Sequence, residues 1–366
     1  MPARSSAWTL ALIFAALIVY ASLYPFEGWR VQGVGLLDFL GAPWPQYWTG
    51  FDLVSNLLGY APLGFLLALG MLRSGWGNWS WPAAVWLAAL LSLSVEVLQH
   101  FLPVRVPSNV DLGLNVAGAL IGASAAVVLQ YLGVLRRWSQ FRADWFVPRA
   151  HGSLVLLALW PFALLYPASV PFGLGQVAER LEASLARLLT DTPFLDWLPR
   201  RPGEAQALGP LAEAFCIALG LLAPLLLGYA DLRSVARRGV FLLLLLACAV
   251  GVSGLSSALT YGPEHAWAWL TPQAGVGMGL ALLLGLAVIG APARWCHVGL
   301  LLSLALSLSL LNRAPVSAYF AQSLQLWEQG RFIRFHGLSQ WLGWLWPFAA
   351  LWLGARSLAQ GRGRAD

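Results

Sequence analysis

Residues Glu96 to Gly122 read EVLQHFLPVRVPSNVDLGLNVAGALIG, and this stretch decides the fold. Glu96, Gln99 and His100 share one face of a helix end, and a turn bounded by prolines follows. Asp111, Asn115, Gly118 and Gly122 then recur along one face of the next helix. Both flanks are hydrophobic. A carboxylate inside or at the edge of a membrane helix is costly and usually persists with a partner or a task. The spacing predicts a helical hairpin with a compact polar cluster at one end.

Composition sets the class. The 366 residues are 59% hydrophobic and only 10% charged, with a mean hydropathy of +0.69; a soluble domain carries roughly 25% charged residues. The chain is read as an all-α integral membrane protein. Its three cysteines, Cys216, Cys248 and Cys296, fall in or beside apolar spans without metal-ligand spacing. They read as small hydrophobes, and neither metal nor cofactor is expected. All 22 basic residues are Arg, which excludes a Schiff-base or P-loop lysine. The pI near 9.6 reports membrane topology rather than nucleic-acid binding.

A span needs about 17–25 apolar residues. Ten stretches qualify: 7–24, 53–72, 81–102, 110–132, 153–169, 210–229, 239–259, 273–290, 295–311 and 338–355. Arg4 precedes the first as it would in a signal peptide, but SLYPFEGW has no clean small-residue cleavage site, so an uncleaved helix is expected. Ten spans with the N-terminus inside put Arg4, Arg73, Arg136, Arg137, Arg142, Arg149, Arg233, Arg237, Arg238, Arg294, Arg356, Arg362 and Arg364 on the inner side. All acidic residues but Asp144, Asp231 and Asp366 fall outside. This bias obeys the positive-inside rule, so both termini are expected to be cytoplasmic and the cluster to face outward.

The hairpin gains a third helix from Asp52 and Asn56, four residues apart at the start of the second span. Gly59 and Gly64 there permit close helix contact. Arg105 lies in the short turn, and Ser108 with Asp111 fits a capping box that opens the fourth helix. Plainer readings exist for each feature: a helix cap for Ser108 and Asp111, a structural salt bridge between Glu96 and Arg105, and helix–helix bonds for Asn56 and Asn115. Packing accounts for Gly118 and Gly122, and His100 reads as an interfacial side chain. Taken together, so many polar groups at one end exceed what capping and helix adhesion require. Those eight groups are Asp52, Asn56, Glu96, Gln99, Arg105, Ser108, Asp111 and Asn115, and a site is favoured there.

SNLLGYAPLGFLL followed by E-x-x-Q-x-x-x-P-x-R-x-x-S-x-x-D-x-x-x-N-x-x-G-x-x-x-G resembles the VanZ-like domain, a four-helix bacterial membrane module, over about residues 20–132. The family is named for a member associated with low-level resistance to the glycopeptide teicoplanin, and membership implies no defined reaction. The resemblance implies seven functional residues, Asn56, Glu96, Gln99, Arg105, Ser108, Asp111 and Asn115, and a bacterial inner-membrane location. The expected organisation is a VanZ-like domain at 7–132, a cytoplasmic Arg-rich linker at 133–152, a six-helix membrane region at 153–355 and a cytoplasmic tail at 356–366.

The second region has two accounts. LIVYASLYPF resembles FALLYPASVPF, and EAFCIALGLLAPLLLGYADLR echoes the second span. A degenerate duplication explains these pairs, and so does the frequency of Tyr-Pro and Gly-Tyr at membrane interfaces. Residues 174–190 place Leu174, Val177, Leu181, Leu185 and Leu188 on one stripe, as expected of an outer-surface amphipathic helix, and 314–336 read similarly.

Three functions compete. A binding or accessory module at the outer face engages an anionic envelope lipid, a lipid-linked glycan or a peptidoglycan precursor, with Arg105 and the fourth helix's N-terminal amides suited to phosphate. A transporter or flippase needs polar residues along a path, and there are few. An enzyme would use Glu96 and Asp111 as acid and base on a lipid-linked substrate. The first is favoured, with membrane lipids as partners and no nucleic acid.

Overall fold

The computed structural model describes residues 6–24, 26–33, 35–43, 50–166, 168–197, 208–314 and 333–362. Its named elements are all helical, and a single isolated bridge pairs Phe146 with Leu232. The chain divides into two compact units, Met1–Ala143 and Asp144–Asp366.

The first unit contains α1 (Ser6–Leu23), α2 (Gly50–Arg73), α3 (Ser80–Gln99) and α4 (Asn109–Tyr131). A fifth helix, α5 (Val134–Trp145), begins where Gly133 turns the chain at φ +72° and runs to the unit's end. Small residues let the backbones meet. Along α3, Ser80, Ala84, Ala88, Ser92 and Glu96 form an i, i+4 row that is buried throughout. On α4 the buried face is Asn115, Gly118, Ala119, Gly122, Ala123 and Ala126. A Cβ on Gly118 would fall on the Leu57 carbonyl, one on Gly122 on the Ala61 carbonyl, and one on Gly64 on the Ala119 carbonyl. The α2–α4 seam is thus backbone against backbone, as small-residue motifs permit. Gly59 has open space beside it and contributes nothing to the seam. Far from the cluster, Trp81 Nε1 donates to Ser124 Oγ at 2.9 Å and Trp8 Nε1 to Ser74 Oγ at 3.0 Å.

The second unit contains α6 (His151–Ala163), α7 (Ala178–Leu188), α8 (Pro210–Asp231), α9 (Val235–Tyr261), α10 (Pro272–Ala287), α11 (Ala293–Leu311) and α12 (Ile333–Arg362). Helix α8 is its axis: 72% of that span is buried, against 33% or less for every other span-length helix. Thr271 caps α10 through the Ala274 amide at 3.2 Å, as Ser108 caps α4. Ten and fourteen residues past each cap stand small buried residues, Gly118 and Gly122 in one case, Ala281 and Gly285 in the other. Three and seven residues past the caps the helices differ: Asp111 and Asn115 have Ala274 and Met278 as counterparts.

Among the described residues, seven helices are long and apolar enough to cross a membrane: α1, α2, α3, α4, α8, α9 and α11. The stretch 153–169 forms instead the 13-residue α6, which ends before Tyr166-Pro167, a pair that disfavours helix. The stretch 273–290 forms the 16-residue α10, followed by Gly290 and Pro292. The stretch 338–355 lies within α12. In the supposed linker 133–152, α5 is a full helix. The helix expected over 174–190 starts only at Ala178, where the Asn312 side-chain oxygen accepts from the Val177 and Ala178 amides. Leu174 is drawn into the core, while Leu181 and Leu188 are exposed. The second amphipathic stretch, 314–336, falls almost wholly outside the described residues.

Candidate functional site

The C-terminal ends of α1 and α3 meet the N-terminal ends of α2 and α4, and the seven residues of the E-Q-R-S-D-N pattern with Asn56 gather there. Each of α2, α3 and α4 brings a polar pair one turn apart: Asn56 and Tyr60, Ser92 and Glu96, Asp111 and Asn115. Helical spacing stacks the members of a pair on one face.

Glu96 is 3% exposed, and its Oε2 accepts from the Ser108 backbone amide at 2.9 Å. Ser108 is the N-cap of α4, and its Oγ accepts from the Asp111 amide at 3.3 Å. In a capping box the acid three residues on would take the cap amide for itself. Here the box is split between helices: Glu96 of α3 fills that role, so Asp111 is released to face α2. Its Oδ1 accepts from Asn56 Nδ2 at 2.6 Å. A carboxylate against the first amide of α4 also sits at the positive end of the helix dipole, worth about 0.3–1 kcal/mol.

One turn deeper, Asn115 Nδ2 donates to Ser92 Oγ at 3.0 Å, a fully buried link between α4 and α3. Tyr60 stands beside Ser92, within electrostatic reach of Glu96. The Asn115 side-chain oxygen is buried with no hydrogen-bond partner among the described residues.

The remaining candidates bind the loop after α1. Gln99 Nε2 donates to the Ser22 carbonyl at 3.0 Å and Arg105 Nη2 to the Tyr24 carbonyl at 2.6 Å. Gln32 Nε2 donates to the His100 carbonyl at 2.6 Å, the Arg30 amide to the Phe101 carbonyl at 2.9 Å, and Asn109 Nδ2 to the Ala42 carbonyl at 2.7 Å. His100, expected at an interface, is instead buried at 8% exposure. Around Arg105 the surface is aromatic and open: Tyr24, Phe26 and Trp29 are all exposed, and Trp29 Nε1 is fixed on the Phe26 carbonyl at 2.8 Å.

The structure therefore reassigns two roles. The partner shown for Glu96 is a backbone amide, and the α4 cap already receives a carboxylate of this chain. Tyr60, Ser92, Gln32 and Asn109 join the site without having been singled out; the one-turn spacing of Tyr60 from Asn56 and of Ser92 from Glu96 was the available signal. Asp52 lies in the first turn of α2, but its side chain lies outside the described residues. No group of three or more His, Cys, Asp or Glu residues assembles into a metal site among the described residues.

Residues 7–130 match the VanZ/LLP1 family model. No curated protein and no solved structure matches the chain.

Proposed function

We propose that this VanZ-like domain is a membrane-embedded binding module whose polar end takes the head of an anionic envelope lipid or lipid-linked glycan, such as a peptidoglycan precursor. In this reading the chain spans the bacterial inner membrane ten times with both termini cytoplasmic and the polar end outward. The observation that carries it is the gathering of Asn56, Glu96, Gln99, Arg105, Ser108 and Asp111 at one end of the first unit, bordered by exposed rings. Carboxylates and carboxamides are hydroxyl-recognising groups, and exposed Trp and Tyr rings stack on sugar faces. Arg105 supplies a planar cationic donor for phosphate.

The filled cap refines the chemistry. Phosphate docking on the α4 amides would have to displace Glu96, so the anionic part of the ligand belongs at Arg105, with the hydroxyl-bearing part toward Asp111 and Asn56. The same burial weighs against acid–base work by Glu96, whose carboxylate is engaged by Ser108. A link to glycopeptide susceptibility follows from binding a peptidoglycan precursor.

The test is binding of a polyprenyl-pyrophosphate-linked disaccharide to protein in nanodiscs, measured beside polyprenyl phosphate and phosphatidylglycerol. The glycan-bearing lipid should bind tightest. Arg105→Ala should weaken it by roughly 30-fold, the value of one charge-assisted contact. Equal binding by Arg105→Ala and the parent refutes the assignment.

A further inference from the structure

The opposite end of the first unit carries a different surface. Helix α5 starts three residues after α4, a span-length helix, and so begins at the membrane boundary. Leu135 anchors it by burial against Ala7 and Leu69. Val134, Trp138 and Phe141, at i, i+4 and i+7, share one face and are exposed at 39%, 49% and 38%. Trp138 and Phe141 stack with ring centroids 5.5 Å apart. Arg137 and Arg142 border this stripe on either side, while Arg136, Ser139 and Gln140 occupy the opposite face. Arg142 lies within electrostatic reach of Arg73 at the end of α2. Against Arg73, Arg136, Arg137 and Arg142, α5 itself carries a single acid, Asp144, near its C-terminal end.

An apolar stripe flanked by arginines, exposed and starting at the end of a membrane span, has the pattern of an in-plane interfacial helix. Arginine stems run along the hydrocarbon boundary and lift their guanidinium groups to the phosphates. Four arginines against that one carboxylate leave α5 and the end of α2 positively charged, and each arginine near the surface is attracted to anionic headgroups. We infer that α5 is a lipid-reading helix, lying in the headgroup layer with Val134, Trp138 and Phe141 in the acyl boundary and docking preferentially on anionic lipid. This surface is separate from the polar end, and its test does not involve the glycan ligand.

The experiment uses the full chain with Cys248→Ala, since Cys216 and Cys296 are buried. Spin labels go on Trp138→Cys or Gln140→Cys, and the protein is reconstituted in phosphatidylcholine vesicles with or without phosphatidylglycerol. Collision with oxygen against a water-soluble nickel chelate reads depth. The label at 138 should favour oxygen in anionic vesicles, and the label at 140 should favour nickel. Arg136→Gln with Arg137→Gln should lower the docked-to-undocked ratio by roughly 30-fold. Equal nickel access at 138 and 140 in anionic vesicles, or a depth at 138 indifferent to lipid charge and to the arginine substitutions, overturns the inference.

Discussion

Replacing Glu96 separates a cap shared between helices from an acid that is merely buried. Glu96→Ala removes the acceptor held 2.9 Å from the Ser108 amide and leaves a donor at the start of α4 without it. The loss of a charge-assisted bond costs about 1.5–3 kcal/mol, and the lost interaction with the α4 dipole adds about 0.3–1 kcal/mol. The α3–α4 turn should therefore open about 3 kcal/mol more easily, which is about 150-fold in an opening equilibrium. Glu96→Gln keeps a carbonyl oxygen of the same reach and loses only the charge, about 1 kcal/mol or about fivefold. Hydrogen–deuterium exchange of the peptides covering 102–112, followed by mass spectrometry in detergent, reads both values. Parent, Gln and Ala should exchange progressively faster, with Ala far beyond Gln. Equal acceleration by the two variants, or none by Ala, would show that the carboxylate does not hold the cap.

Other substitutions probe the remaining contacts. Gly122→Leu drives a side chain into the Ala61 carbonyl and should destabilise the protein by about 3 kcal/mol, whereas Gly59→Leu, beside open space, should stay within about 0.5 kcal/mol; thermal unfolding of the two reads the contrast. Asn56→Asp sets a second carboxylate against Asp111 and should lower the thermal midpoint more than Asn56→Ala, which only removes a donor; the reverse order would contradict the bond. In the second unit Arg238 Nη1 donates to the Ile289 and Ala291 carbonyls at 2.9 and 2.7 Å. Arg238→Met should free the α10–α11 turn by about 3 kcal/mol, seen as faster exchange over 288–294.

The polar cluster was legible because helical spacing is written in side chains: Glu96 with Gln99, and Asp111 with Asn115, recur at intervals that only a helix makes meaningful. The small-residue face of α4 was legible for the same reason. Glu96's partner was not, because the Ser108 amide is backbone and leaves no trace in residue type. Nor could residue type indicate that Gln99, Arg105 and Asn109 would reach the carbonyls of Ser22, Tyr24 and Ala42, since any loop offers such acceptors. Gly59 and Gly64 look equivalent in sequence, yet only Gly64 faces α4. The arginines of 133–152 dominated the reading of that stretch and hid the Val134, Trp138, Phe141 stripe, whose period is helical. Helix ends were not legible either: the apolar stretches 153–169 and 273–290 form the shorter α6 and α10, because hydropathy does not encode where a helix stops.

In the proposed function the polar end of the first unit faces outward and receives a ligand. Val106, in the turn beside Arg105, is 84% exposed, so Val106→Cys with Cys248→Ala gives a reporter at the mouth. Whole cells are treated with a membrane-impermeant maleimide, with and without added polyprenyl-linked disaccharide. The account predicts labelling without lysis and slower labelling when the glycan lipid is present. Labelling only after lysis, or at a rate the glycan lipid leaves unchanged, would contradict it.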